Sequence, residues 1–190
     1  MSIDRRSLIV EAANKSFALF GYKGTTMEQV AKIANVGKGT IYTFFSNKEE
    51  LFQEVINELL AEMKLLVEKS ISQELSFFNA LSDSLNLILE FRERHELALK
   101  IAQEVKEIGT PMAIEAILQI EKLVVDYVAQ KVERAIERKE IKPCDSQLTA
   151  FIILKLYMAL AVDWKKQKEL DKSEVAQQLR FYLEHGLALK

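Results

Sequence analysis

This chain contains very little that would break a helix. Its 190 residues include six glycines and two prolines, and nowhere do apolar and polar residues alternate over the length of a strand between turn signals. The pattern that recurs has a 3.6-residue period. From about residue 47 to 70, Leu51, Phe52, Val55, Ile56, Leu59, Leu60, Met63, Leu66 and Val67 fall on one helical stripe, enough for a helix on the order of 30 Å long. Further helices are predicted at about 73–93, 96–107, 112–139, 146–168 and 172–188. Gly109-Thr110-Pro111 and Lys142-Pro143-Cys144-Asp145 separate them, with proline tolerated in a first turn. The expected fold class is all-α.

Residues 25–51 are denser in signals. Thr25 with Glu28, or Thr26 with Gln29, makes a capping box that starts a helix running to about Ala34. Val30, Ile33 and Ala34 give it an apolar stripe, and Asn35 tolerates the left-handed backbone of a tight turn. Gly37 opens the next helix, in which Ile41 and Phe45 at i, i+4 face inward and Lys38, Thr40, Tyr42 and Thr43 face out. Ser46 with Glu49, or Asn47 with Glu50, caps a third helix with Lys48 in its first turn. Two short helices joined by a tight turn have helix-turn-helix geometry.

The outward residues suit DNA. Lys38 can neutralise a phosphate or reach a guanine edge, and Gly39 lets the backbone come close. Tyr42 offers a ring for sugar or thymine methyl and a hydroxyl for phosphate, while Thr40 and Thr43 can donate to backbone or base. Lys48 joins the amides and positive dipole end of its helix in holding a phosphate. The competing reading is a three-helix piece of a larger helical protein, with Tyr42 and Phe44 as packed rings.

Ala12-Ala13, Phe17-Ala18-Leu19-Phe20-Gly21-Tyr22, Thr25-Thr26, Val30-Ala31, Gly39-Thr40-Ile41-Tyr42, Phe45 and Asn47-Lys48-Glu49-Glu50-Leu51 follow one another without a gap. Over roughly residues 5–52 this resembles the N-terminal domain of TetR-family transcriptional regulators. The resemblance implies a helix-turn-helix DNA-binding domain at 1–52 and a helical ligand-binding and dimerisation domain at 53–190. It implies phosphate contacts from Thr26, Tyr42 and Lys48, with Lys38, Gly39, Thr40, Thr43 and Phe44 on or beside base edges. Many family members carry histidine where this chain has Phe44, so an apolar or thymine-methyl contact is expected there in place of a polar one.

Charge is distributed in the matching sense. Residues 1–52 hold seven basic side chains (Arg5, Arg6, Lys15, Lys23, Lys32, Lys38, Lys48) against five acids (Asp4, Glu11, Glu28, Glu49, Glu50), net +2, and the chain as a whole carries −2, which leaves −4 for the rest. Arg5 and Arg6 read as a solvated helix start or as reaching an adjacent phosphate. Cys144 is the only cysteine, so neither an intrachain disulfide nor a thiolate metal cluster can form, and a cytoplasmic location is expected. No signal-peptide order opens the chain. The run Leu148–Val162 is shorter than a bilayer span and Lys155 interrupts it, so no membrane role is expected.

Enzymatic activity has little support. His95 and His185 are the only histidines, both read as helix-end residues, and no nucleophile motif, phosphate loop or metal-ligand spacing accompanies them. No cofactor and no metal are expected. The helix near 146–168 is apolar almost all round, through Phe151, Ile152, Ile153, Leu154, Leu156, Tyr157, Met158, Leu160 and Val162. With a last helix bearing Val175, Leu179, Tyr182, Leu183 and Leu187, it is expected to form a four-helix homodimer interface. By resemblance, a body pocket within 73–168 would take an unidentified small apolar or amphipathic inducer. Phe77, Phe78, Phe91, Tyr127, Phe151, Tyr157 and Trp164, with Asn79, Ser82 and Asn86, are the side chains from which it could draw. The expected function is a homodimeric regulator of double-stranded operator DNA, a repressor released from a pseudo-palindromic site when inducer tilts the helix at 47–70. The alternative is an effector-independent DNA-binding protein whose body serves dimerisation or a protein partner.

Overall fold

A computed structural model describes residues 4–69 and 76–187. Expectations for residues 70, 73–75 and 188, and for the side chains of His185 and Leu187, lie outside the described residues. The elements are α1 (Arg5–Gly24), α2 (Met27–Ile33), α3 (Lys38–Phe44), α4 (Lys48–Lys69), α5 (Phe77–Arg94), α6 (Glu96–Glu107), α7 (Pro111–Glu137), α8 (Ser146–Met158) and α9 (Lys172–Leu187). No strand occurs among the described residues, so the all-α expectation is met.

Side chains cap most helix N-termini. Asp4 caps α1 by accepting from the Arg6 and Ser7 amides at 3.0 and 3.5 Å, and Asp145 caps α8 by accepting from Leu148 N at 2.9 Å. Thr26 and Gln29 form the box that opens α2; Thr25 is buried, its hydroxyl 3.2 Å from that of Ser16. At the other end of α2, Asn35 adopts φ +54°. Asn35 N donates to Lys32 O and Val36 N to Ala31 O, the paired bonds of a left-handed helix stop. The 146–168 helix departs from expectation. Its α-helical part ends at Met158, and a π-helical turn (Ala159–Asp163) and a 3-10 turn (Trp164–Lys166) follow. The continuous helical stretch Ser146–Asp163 is long and apolar enough to cross a bilayer by length and composition alone, longer than the run read from sequence.

The chain divides into two compact units, Met1–Lys64 with Glu90–Ile120, and Leu65–Leu89 with Glu121–Lys190. The first is built around Ile9, Ala13, Phe17, Val30, Ile41, Phe45, Leu51, Phe52, Val55 and Ile56 together with Leu97 and Ile101 of α6. In the second, Leu81, Leu85, Val128, Val132, Ile141, Ile153, Tyr157 and Leu179 are buried. Polar groups are also paired there. The Tyr157 hydroxyl donates to Asn86 Oδ1 at 2.9 Å, and the Tyr127 hydroxyl donates to Val67 O at 3.2 Å.

A kink interrupts α1. Gly21 sits at φ +74°, ψ 177°, and a Cβ added to it would come within 2.3 Å of Glu104 Oε2. That carboxylate cannot simply swing aside. Glu104 is 4 % exposed, accepting from Lys23 N at 3.2 Å and from the Thr110 hydroxyl at 2.6 Å, while Thr110 caps α7 through Ala113 N. One buried acid therefore joins the end of α1 to the α6–α7 turn. Gly21→Ala combines a strained backbone with this clash, and should lower the unfolding free energy by about 1–3 kcal/mol. Urea denaturation checks this, and a variant as stable as wild type would refute it.

Candidate nucleic-acid interface

The helix-turn-helix rests on apolar residues that leave one side of α3 free. Ile41 and Phe45 are buried to 0 and 2 % exposure, whereas Lys38, Gly39, Tyr42, Thr43 and Phe44 are exposed and Thr40 is half-buried. Tyr42 and Phe44, at 44 and 38 % exposed, are not the packed rings of the competing reading. Space is open around Gly39, where an added Cβ would meet nothing within 4 Å. Packing thus does not require glycine at this position. The Thr43 hydroxyl donates to Thr40 O at 2.6 Å. One expectation for α2 fails: Ile33 is exposed, because the buried face is set by Met27, Val30 and Ala31, and at about 3.6 residues per turn Ile33 falls about 120° round the helix from Met27, beyond the edge of that face.

Thr26 spends its hydroxyl within α2, accepting from Gln29 N and donating to Gln29 Oε1, both at 3.2 Å. Lys48 is more committed than its sequence position suggested. Its ammonium donates to Tyr22 O at 2.9 Å and Thr25 O at 3.1 Å and lies 4.2 Å from the centroid of the Tyr22 ring. Three donors are available to an ammonium, so these two leave one. The bond to Thr25 O brings Lys48 beside Thr26, two residues that sequence placed in different elements. Asn47 caps the start of α4, accepting from Glu50 N at 2.8 Å. Glu50 Oε2 in turn accepts from Ser46 N at 2.7 Å.

Three residues that the sequence reading left out of the site touch it. Glu28 Oε1 is 2.6 Å from Lys38 Nζ. The hydrogen bond from Lys38 holds the Glu28 carboxyl below its ordinary range, and the same bond raises the lysine. Tyr22, beneath Lys48, donates its hydroxyl to Glu49 Oε1. Burial first, then this bond, pushes its phenol well up, and the bond lowers the Glu49 carboxyl. No local spacing rule would have found these pairs, which join residues 10 and 27 positions apart across turns. Arg6, a candidate for an adjacent phosphate, is bound to Glu54 at 2.7 Å and lies 5.2 Å from the centroid of the Phe45 ring.

Two of the three candidate phosphate residues, Lys48 and Tyr42, should therefore differ in what they contribute to stability. Lys48→Ala removes two charge-assisted bonds to carbonyls and should cost about 1.5–3 kcal/mol in thermal or urea unfolding. Tyr42→Ala, at an exposed position, should cost within about 0.5 kcal/mol. Equal losses would show that the Lys48 bonds do not hold the fold.

On the opposite part of the sequence, α8 and α9 expose apolar side chains. Leu148, Phe151 and Ile152 face out from α8, while Ile153, Leu154 and Tyr157 are buried. On α9 Val175, Leu179 and Leu183 are buried, and Phe181 and Tyr182 are exposed. Of the α9 residues expected at a dimer interface, three are thus consumed within the chain. Lys155 extends over the Phe151 ring, 5.0 Å from its centroid, and pairs with Glu121 at 2.7 Å.

Residues 9–55 match the family model described as bacterial regulatory proteins, tetR family. The chain is 52% identical over 189 residues, 99% of both chains, to an uncharacterized HTH-type transcriptional regulator, YhgD, of Bacillus subtilis. In fold it is similar to a chain assigned to the TetR-family transcriptional regulators from Mesorhizobium loti, at TM-score 0.73 and 20% identity over 97% of each chain. It is also similar to the fatty acid degradation regulator FadR of Bacillus halodurans, at TM-score 0.69 and 19% identity over 96% of each. A helix-turn-helix with an open outer face and a full-length relative at this identity lead to one conclusion: the chain belongs to the TetR family of bacterial transcriptional regulators, with a DNA-binding helix-turn-helix.

Proposed function

We propose that this regulator is a homodimeric, cytoplasmic repressor that binds a pseudo-palindromic operator through residues 1–52 and is released by a small apolar or amphipathic inducer held by residues 53–190. The observation that carries the reading is the free side of α3. Lys38, Gly39, Tyr42 and Thr43 are presented to solvent by a helix whose Ile41 and adjoining Phe45 are fully engaged in the core. In this reading Thr26, Tyr42 and Lys48 hold phosphates, and Lys38, Gly39, Thr40, Thr43 and Phe44 lie on or beside base edges. Lys48 would add its remaining donor to a phosphate while keeping its two carbonyl bonds. Phosphate contacts fix register and base-edge contacts fix sequence.

Dimerisation rests on α8 and α9. Leu148, Phe151 and Ile152, with Phe181 and Tyr182, are large apolar side chains exposed on two helices of one unit, and a second copy would cover them. Two-fold symmetry would then let two α3 helices meet a pseudo-palindromic site about 34 Å apart, one turn of the duplex. The same covering accounts for the apolar stretch Ser146–Asp163 without a membrane.

Release requires that inducer bind the non-operator state more tightly than the operator state. Tyr157, Asn86 and Tyr127, among the side chains a pocket could draw on, are engaged in hydrogen bonds within one unit, and an inducer that drew on them would replace those bonds. α4 is one 22-residue helix that belongs to one unit through Lys64 and to the other from Leu65; in this reading its tilt carries the signal.

Two experiments test the reading. Gly39→Ala should leave the fold intact or raise its stability by up to about 1 kcal/mol, yet weaken binding to a selected operator by roughly tenfold or more through lost close approach; unchanged binding would remove α3 from the groove. Ile152→Glu, at a 51 % exposed position, should sediment as a monomer and bind a palindromic duplex at least ~10-fold more weakly. A dimer with full affinity would move the interface elsewhere.

A further inference from the structure

Within the helix-turn-helix, Lys38 already has an acid for company. Its ammonium lies 2.6 Å from Glu28 Oε1, with the two side chains 65 and 58 % exposed. Glu28 lies on α2 and Lys38 on α3, with the Asn35 turn between them. An ion pair this exposed contributes little to stability. It also spoils Lys38 as a simple phosphate contact, because a lysine already neutralised by a carboxylate releases less bound counterion when it meets DNA. The hydrogen bond from Lys38 keeps Glu28 ionised well below neutrality, so the carboxylate is a pure acceptor at working pH.

A cation and a carboxylate in contact match one base pair better than the others. In the major groove a G·C pair shows two adjacent acceptors, guanine N7 and O6, followed by the cytosine N4 amino donor. Lysine can donate to both acceptors while the carboxylate beside it accepts from N4. In an A·T pair the adenine N6 donor lies between two acceptors, adenine N7 and thymine O4. There lysine keeps one bond instead of two, and the carboxylate faces repelling acceptors on both sides.

We propose that Glu28 is a specificity-determining residue that acts with Lys38 as a joint reader of one G·C base pair in each operator half-site; this assignment rests on the operator-binding reading above. Glu28 lowers affinity for arbitrary duplex and restores it where the G·C pair satisfies both partners.

The test uses the full-length protein. Wild type, Glu28→Gln, Glu28→Ala, Lys38→Ala and the Glu28→Ala/Lys38→Ala double variant each select from a random duplex pool. Each is then titrated at several salt concentrations on the selected duplex, on the same duplex with the G·C pair changed to A·T, and on random duplex. Wild type should prefer G·C at one position per half-site by roughly tenfold. Both Glu28 variants and Lys38→Ala should lose that preference at the same position, and the double variant should lose no more. Glu28→Gln, which keeps the shape of the side chain, should bind random duplex more tightly, with a salt slope steeper by about 0.9. Circular dichroism verifies that each variant is folded, and Glu28→Gln alone decides the matter if Glu28→Ala is not. A wild-type motif without such a G·C position, a preference that survives Glu28→Gln, or Glu28 and Lys38 variants that relax different positions would each overturn the assignment while leaving the regulator reading intact. A wild-type protein that selects no motif would overturn the regulator reading itself, and this assignment with it.

Discussion

The way α1 ends decides where the helix-turn-helix can lie. Gly21 turns the chain at φ +74°, a conformation open to glycine at little cost, and the carbonyls just beyond the kink need donors. The Lys48 ammonium supplies them for Tyr22 and Thr25. The Glu104 carboxylate meets the Lys23 amide. Phe17, Tyr22 and Phe52 pack between these groups, with ring centroids 4.9 Å apart for Phe17–Phe52 and 5.0 Å for Tyr22–Phe52. A cation from α4 and an acid from α6 thus fix the chain direction at residues 21–25, immediately before α2 begins.

In the proposed DNA-binding mode, two residues near the candidate interface serve the fold as well. Lys48 holds the fold and has one donor left over; Thr26 caps α2 with the hydroxyl that it would offer a phosphate. In that mode such groups would be oriented before DNA arrives, and binding would lose little side-chain freedom at those positions. Gly39, Tyr42 and Phe44 are the contrasting case. They are exposed, and Gly39 is not needed as glycine for packing, which makes them residues whose identity the fold alone does not explain.

Local features of the fold could be read from sequence. The box at the start of α2 and the left-handed turn at Asn35 act over a few residues: spacing offers Thr25 with Glu28 or Thr26 with Gln29, of which the structure uses the second, and Asn35 lies where it is expected. The inward positions Ile41 and Phe45 follow from a period that a seven-residue helix still displays. What sequence did not reveal depends on distant partners. Gly21 stands in the sequence only as one residue of the Phe17–Tyr22 motif, and what demands glycine there is visible once Glu104, 83 positions away, is found against it. Lys48 reads as a free cation until the carbonyls at 22 and 25 are brought beneath it. On α9 the stripe Val175–Leu179–Leu183 was legible as apolar, but a stripe does not say which neighbour covers it, and here it is the chain itself that does so. Tyr182 reads with that stripe in sequence, but it stands on the exposed side beside Phe181.

In the proposed mode α3 reads DNA from the major groove, two copies to a site. Guanine-N7 methylation interference combined with hydroxyl-radical footprinting on a duplex selected by the protein tests this most directly. Two symmetric patches of interference are expected in the major groove, on one face of the duplex and centred about 34 Å apart. Uniform protection without interference at guanine N7, or a single patch confined to the minor groove, would contradict that mode.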